Sequence, residues 1–379
     1  MRAFSPHPRL LSVPVLVHVL DPSAYTPPYD HAFCAALAAA GADVELHTSR
    51  FAHGAVAPAE GYTRVEDFYR LAARVGSARA RRAVKLAEHV PDMLRYRRAA
   101  AAADIVHFQW LAVQHLDGHL LPSGRPLVLT AHDVLPREPR PGQRGAQRRL
   151  YSRFDAVVVH SEHGRDRLIG ELGVQGSRVH VIPHGAFEHL AASAPAPPPA
   201  EGPPVVLCFG LMRPYKGIDL LLQAWRGIEN ARLIVAGMPR MDISTLRAAL
   251  PPGATLEPRY LSDAEMAEHF ERAALVVLPY REIDQSGVLS TALAFGRPML
   301  LSDVGGFPEI ARTGAARTFR AGDPAALHTA LAELLADPGA LREMGERARA
   351  AAAGPYSWRE AAQSTLSLYR TLLEDGPRR

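Results

Sequence analysis

Residues 205–225 read VVLCFGLMRPYKGIDLLLQAW. The first five are an uninterrupted apolar, β-branched run that stops at Gly210, and an apolar helical stretch follows from about Gly217. A short buried strand that passes through a glycine into a helix is the βα step of a parallel sheet with helices on both faces. Gly210 lets the backbone come close to a ligand, and Arg213 and Lys216 project from the connecting loop, where a diphosphate needs two positive charges. Two basic residues in such a loop are by themselves ordinary surface charge. The full order of Gly, Arg-Pro-Tyr-Lys-Gly and apolar helix is far more specific.

Downstream, the same alternation continues through Leu233–Gly237, Asp263–Arg272, Leu275–Pro279, Val288–Ala294 and Met299–Ser302. Upstream stands AASAPAPPPAEGPP, residues 191–204, which can neither continue a helix nor donate enough hydrogen bonds for a sheet. Before it, a second alternation runs through Val13–Leu20, His31–Ala40, Ala42–His47, Ile105–Trp110, Leu127–Ala131 and Ala156–His160. The expected fold class is α/β, with two doubly wound Rossmann-like domains over 1–190 and 205–355. A Pro-rich linker at 191–204 joins them. Ligands are expected in a cleft at the carboxyl ends of the strands.

Composition agrees with this organisation. The 379 residues include 43 Lys+Arg and 39 Asp+Glu, a net charge of +4, with 47% hydrophobic and 22% charged residues. That excludes a disordered chain and a fibre, and the small basic excess speaks against a nucleic-acid binder. Cys34 and Cys208 stand far apart with no CxxC pair, so both read as small buried hydrophobes and not as a metal site or disulfide framework. Arg2 and Arg9 ahead of Leu10–Leu20 mimic a secretory leader, but Pro14 and His18 interrupt the run, which reads better as a first strand. No apolar run reaches membrane-spanning length, and the expected compartment is the cytoplasm. The Arg-rich residues 76–100 read as a solvated helix face, with a peripheral membrane contact as the sharper alternative. No GxGxxG follows the first strand and no P-loop occurs, which disfavours dinucleotide oxidoreductases and P-loop enzymes.

A second chemical segment is residues 278–310, LPYREIDQSGVLSTALAFGRPMLLSDVGGFPEI. Gln285, Ser286 and Gly287 open a helix near Val288, whose first N–H groups and dipole suit a phosphate or sugar oxygen. The glycines of Asp303–Glu309 read as turn formers. Leu127–Asp133 ends a strand with His132 at the expected ligand edge. Residues 25–31, YTPPYDH, place Tyr29, Asp30 and His31 at a helix start, with an N-cap role open for Asp30.

Together the Lys-Gly loop and the 278–310 segment resemble glycosyltransferase family 4, retaining enzymes of the GT-B architecture. The resemblance covers nearly the whole chain, is strongest from Val205 to Glu309, and makes 356–379, from Tyr356-Ser357-Trp358-Arg359 onward, the family's closing helix, which packs back on the N-terminal domain. It implies that Lys216 grips the donor diphosphate, with Gly210 among the donor-binding residues. Leu211 stands where the family has Arg, and Arg213 takes that contact two places later. It sets the nucleotide base against the backbone around Tyr260 and gives His132 the transferred sugar or the acceptor. The family commonly carries two Glu in the second segment, one to the sugar and one to the ribose. Aligned on Gly296 and Pro298, those positions fall on Ile283 and Thr291, neither a carboxylate. Glu282 or Asp284 is then the candidate for the first role and the Thr291 hydroxyl for the second, within a Gln285-Ser286-Gly287-Val288 signature. The family's Gly pair is also absent from the first loop, which leaves Tyr29, Asp30 and His31 as acceptor-side candidates.

The implied reaction moves a sugar from a nucleoside diphosphate sugar to a hydroxyl acceptor with retained configuration. It requires no cofactor, and since no D-x-D occurs, no metal is expected in it. The rivals are a nucleotide-sugar epimerase of the same architecture, which needs more carboxylates than this segment holds, and a non-catalytic sugar-nucleotide-binding protein.

Overall fold

The structure, a computed structural model, describes residues 14–51, 54, 56–134, 143–192 and 202–376. Seven strands form one sheet: β1 (Leu16–Asp21), β2 (Asp43–Ser49), β3 (Thr63–Phe68), β4 (Ile105–Phe108), β5 (Leu127–Thr130), β6 (Ala156–Val159) and β7 (Val179–Val181). Six form another: β8 (Val205–Phe209), β9 (Arg232–Ala236), β10 (Ala254–Glu257), β11 (Ala273–Leu278), β12 (Met299–Ser302) and β13 (Ala316–Phe319). The spatial orders are β3-β2-β1-β4-β5-β6-β7 and β10-β9-β8-β11-β12-β13. In each sheet the chain enters at an interior strand, β1 or β8, winds to one edge and returns to the other side. Neighbours pair in parallel throughout the second sheet and from β3 to β5 in the first. This is the doubly wound α/β class expected.

Alternate residues of the second sheet feed two separate cores, as a two-residue side-chain period demands. Leu207, Val276 and Leu278 pack into one, and Val206, Cys208, Leu275 and Val277 into the other. Each such buried aliphatic side chain stabilises the fold by about 2 kcal/mol. Every residue of β4, β5, β6 and β12 is buried, whereas the edge strands β3 and β10 are mostly exposed or half-buried. The apolar-run criterion passes over those two polar edges.

By contacts the chain divides into two units: Met1–Ala131, Gly142–Val157 and Ala362–Arg379 form one, and His132–Pro141 with Val158–Ala361 the other. The C-terminal helix Trp358–Asp375 thus contributes to both. Within the first unit, the Tyr369 hydroxyl is 2.5 Å from His107 Nδ1, and His107 Nε2 is 2.8 Å from Thr130 Oγ1, so His107 is built into the core.

Three expectations shift. Among the described residues the first strand is Leu16–Asp21, and Val13, where it was expected to begin, lies outside them. The helix expected from His31 begins at Pro27, because Pro27 and Pro28 suit a first turn that needs no N–H donor. Thr26 therefore occupies the N-cap position, and Asp30, inside the helix, is not the cap. Most of the Pro-rich linker, residues 193–201, lies outside the described residues. The Arg-rich segment is the helix Ala78–Ala99. Among the described residues, no helix is long and apolar enough to cross a membrane.

Candidate functional site

Most of the singled-out residues lie in the second unit, with Gly210, Lys216 and Val288 together at the end of β8. After Gly210 the chain makes a single 3-10 turn, Pro214–Lys216, and reverses at Gly217. Gly217 sits at φ 63°, and a Cβ there would lie 2.0 Å from the Pro279 carbonyl oxygen, so no other residue fits. The reversal folds Lys216 back over Gly210: a Cβ on Gly210 would lie 3.1 Å from Lys216 Nζ and 3.1 Å from a Val288 methyl. Lys216, only 7% exposed, donates to the Tyr280 hydroxyl at 2.5 Å, and its ammonium stands 4.3 Å from the centre of that ring. Burial pushes the Cys208 thiol up to about 12, with the Lys216 charge acting against it.

Arg281 fixes this loop. Its backbone N–H donates to the Tyr215 carbonyl at 2.7 Å, and its guanidinium to the Pro214 carbonyl at 2.7 Å and to both Asp219 oxygens at 3.0 and 2.6 Å. Burial works to raise the Asp219 carboxyl, but the Arg281 hydrogen bond and charge prevail and hold it below the ordinary carboxylate range. Arg281 and Tyr280 were not singled out from sequence, since only the fold shows that PYR of one βα loop meets PYK of another. Arg213 itself is exposed, with no ion-pair partner among the described residues.

The helix Gly287–Ala294 starts beside Gly210. Ser286 caps it, accepting from Leu289 N at 3.4 Å, and the first-turn N–H groups of Gly287 and Val288 lie at its opening. The Thr291 hydroxyl, buried, donates back to the Gly287 carbonyl at 2.9 Å.

Just before that helix, Asp284 accepts from Val134 N at 3.0 Å through one oxygen and from Arg167 at 2.6 Å through the other. Gln285 Oε1 lies 3.3 Å from His132 Nδ1. Asp284 and Gln285 thus seat the segment that carries His132, which is buried. His132, His160 and His184 follow one another with ring centres 5.3 and 5.5 Å apart. Burial lowers His160 to about 4 and His184 to about 3, so both are neutral at pH 7. His160, His184, Gln285, Ser286 and Ser290 line a small cavity there.

Glu309 accepts from Glu162 N and His163 N, each at 3.1 Å, and so caps the helix Glu162–Leu172. At Gly305 a Cβ would stand 1.9 Å from the Ile283 carbonyl oxygen, which makes this a turn-forming glycine. Glu282 is exposed, and Tyr260 is 63% exposed on the loop after β10.

Tyr29, Asp30 and His31 belong to the first unit and are all buried. Burial, reinforced by the neighbouring Asp21 carboxyl, pushes Asp30 well above the usual carboxylate range, and burial raises Asp21 as well. Asp30 lines a small cavity with Thr48, Ser49, Phe51, Arg64 and Glu66. His31 Nδ1 lies 3.1 Å from the Tyr62 hydroxyl, and Tyr29 is held neutral by burial.

Comparison with known proteins names this arrangement. The model of the family described as Glycosyltransferase Family 4 matches residues 30–186, and that of Glycosyl transferases group 1 matches residues 203–337. The chain is 30% identical over 312 residues to an alpha-maltose-1-phosphate synthase of Mycolicibacterium smegmatis, covering 72% of this chain and 80% of the relative. It is 27% identical over 184 residues to a GDP-mannose:glycolipid 4-beta-D-mannosyltransferase of Xanthomonas campestris, covering 47% of this chain and spanning about half (50%) of that relative. Among solved structures, a sucrose-phosphate synthase of Thermosynechococcus elongatus superposes with a TM-score of 0.73 at 20% identity, over 96% of this chain and 100% of that one. The Anabaena protein HepE, in complex with UDP-glucose, gives 0.73 at 16% identity, over 94% and 100%. Two doubly wound sheets, a lysine turned back over a strand-end glycine and these matches lead to one conclusion: the chain belongs to glycosyltransferase family 4 and is a glycosyltransferase of the GT-B fold.

Proposed function

We propose that this enzyme transfers a sugar from a nucleoside diphosphate sugar to a hydroxyl acceptor, with the anomeric configuration retained. The observation that carries the reading is the convergence on Gly210 of the Lys216 ammonium and the opening of the Gly287–Ala294 helix. Both present positive potential to one spot, which suits a leaving diphosphate. The HepE complex with UDP-glucose supports a donor of this kind. In this reading Lys216 and Arg213 neutralise the charge that develops on the diphosphate. The Gly287 and Val288 N–H groups take a phosphate or sugar oxygen, Thr291 faces the ribose, and the base lies along the backbone near Tyr260. His132, oriented by Gln285, contacts the sugar or the acceptor. Glu282 faces the positive character that grows on the transferred sugar. The departing phosphate removes the acceptor proton on the same face, so neither a carboxylate nucleophile nor a metal ion enters the chemistry. Tyr29, Asp30 and His31 shape the acceptor side from within their own unit. Both cysteines are free and buried, which suits the reducing cytoplasm.

The test is incubation with UDP-, GDP-, dTDP- and ADP-sugars and simple hydroxyl acceptors, followed by NMR of the products. The expected products are free nucleoside diphosphate and a glycoside with the donor's anomeric configuration. An isomerised donor would establish the epimerase reading, bound but unchanged donor the binding-protein reading, and an inverted glycoside would reject retention.

For the acceptor, the helix Ala78–Ala99 supports docking on an anionic lipid surface. Arg79, Arg82, Arg97 and Arg98 are exposed on it, and Leu86 and Leu94 are exposed beside them. Arg81 and Arg95 are occupied instead by backbone carbonyls and by Asp92. Co-sedimentation with vesicles containing anionic lipid is expected at low salt and should weaken as salt is raised. No retention at low salt would reject the docking.

A further inference from the structure

We propose that His18, Glu45 and His47 form a binding site for a divalent transition metal ion, best matched by Zn2+, that ties β1 to β2 in the first unit. His18 and Glu45 are directly paired in the parallel register, and His47 follows Glu45 by one side-chain period, so all three share one face of the sheet. Glu45 Oε2 lies 3.4 Å from His18 Nε2 and 3.4 Å from His47 Nε2. An ion about 2.1 Å from each ligand at the tetrahedral angle would separate neighbouring ligand atoms by about 3.4 Å.

A hydrogen bond on the outer side of the His47 ring sets its inner atom. His47 Nδ1 donates to Asp67 Oδ2 at 3.1 Å, which leaves the lone pair of the neutral ring on Nε2. That Nε2 is buried with no hydrogen-bond partner, in a residue 4% exposed, and it faces a carboxylate oxygen 3.4 Å away. A metal ion between these two atoms would take both as ligands. His18 Nδ1 lies 3.4 Å from the Tyr96 hydroxyl, on the side of the ring away from Glu45. The carboxylate behind one histidine and the phenol behind the other are the outer supports that metal-binding imidazoles use. Two imidazoles and one carboxylate suit Zn2+ and leave a fourth position for water. Glu45, 37% exposed, provides the route in. The site lies in the strands and not in the transfer chemistry, so the proposal stands independently of the donor and acceptor reading.

The full chain, stripped with EDTA and dialysed, is titrated with Zn2+ by calorimetry and followed by thermal melting. The expected result is one ion per chain and a melting point that rises with Zn2+, since the ion binds only the folded form. Asp67→Asn should weaken binding about 10–100-fold through the outer contact. Glu45→Gln, at a half-exposed position that leaves the core intact, should weaken it at least as much. His47→Ala should abolish it, and His119→Ala, at an exposed histidine elsewhere, should leave it unchanged. If His47 instead carries a proton between its two carboxylates, no stoichiometric Zn2+ is taken up. That result, or Zn2+ affinity unaltered in Glu45→Gln and His47→Ala, would overturn the site.

Discussion

Replacing Lys216 by Met should lower kcat by about 10²–10³-fold, the loss seen when one fixed charge or donor facing a developing anion is removed. Met nearly conserves volume, so little cavity forms beside Tyr280. Removing the buried charge relieves its desolvation cost but takes the hydrogen bond and cation contact from Tyr280, so the melting point should change little. That combination separates a catalytic loss from a folding loss: turnover collapses while the protein stays folded. KM for the donor should change less than kcat if the ammonium acts mainly on the leaving group. Turnover within about threefold of the parent would remove Lys216 from the chemistry, and with it the central contact of the proposed transfer.

The second large effect concerns the two acidic residues that stand nearest the missing Glu pair, whose environments differ sharply. Asp284 spends both oxygens on protein: Val134 N on one, Arg167 on the other. Asp284→Ala should therefore cost about 2–3 kcal/mol, because it leaves a part-buried N–H and a guanidinium without that partner. Arg167 is half-buried and keeps Glu171 at 2.8 Å, which limits the loss. Turnover should fall about tenfold or more as well, since the segment carrying His132 loses its anchor and misplacement alone is that costly. Glu282→Gln should behave in the opposite way. Its side chain is exposed and has no bond among the described residues, so the melting point should not move. If its charge faces the sugar in the transition state, kcat should drop by about 10–100-fold. Paired thermal melts and kcat measurements on both variants decide the matter. No kinetic effect from either would take both residues out of the site, and a kinetic effect of Asp284→Ala at unchanged stability would return it to direct contact.

Much of this was legible in the linear chain because parallel sheets bury their strands on both faces. β8, β11 and β12 are short apolar runs, mostly buried, and Gly210, Gly217 and the Ser286 cap mark the turns between strand and helix. The edge strands β3 and β10, polar and half-exposed, carry no such signature. Helix starts were less certain, since a proline pair opens the first helix ahead of the acidic residue that reads as its cap.

The sequence by itself therefore determined the fold class and the family, and with them the presence of a lysine beside a strand-end glycine, because those depend on local patterns within one βα unit. Tertiary structure alone decided that Arg281 locks the lysine loop, that Asp284 and Gln285 hold His132, and that His18, Glu45 and His47 share one face of two strands. The physical reason is the same in each case. These contacts join residues far apart in the chain, and only strand register and loop reversal fix which side chains meet.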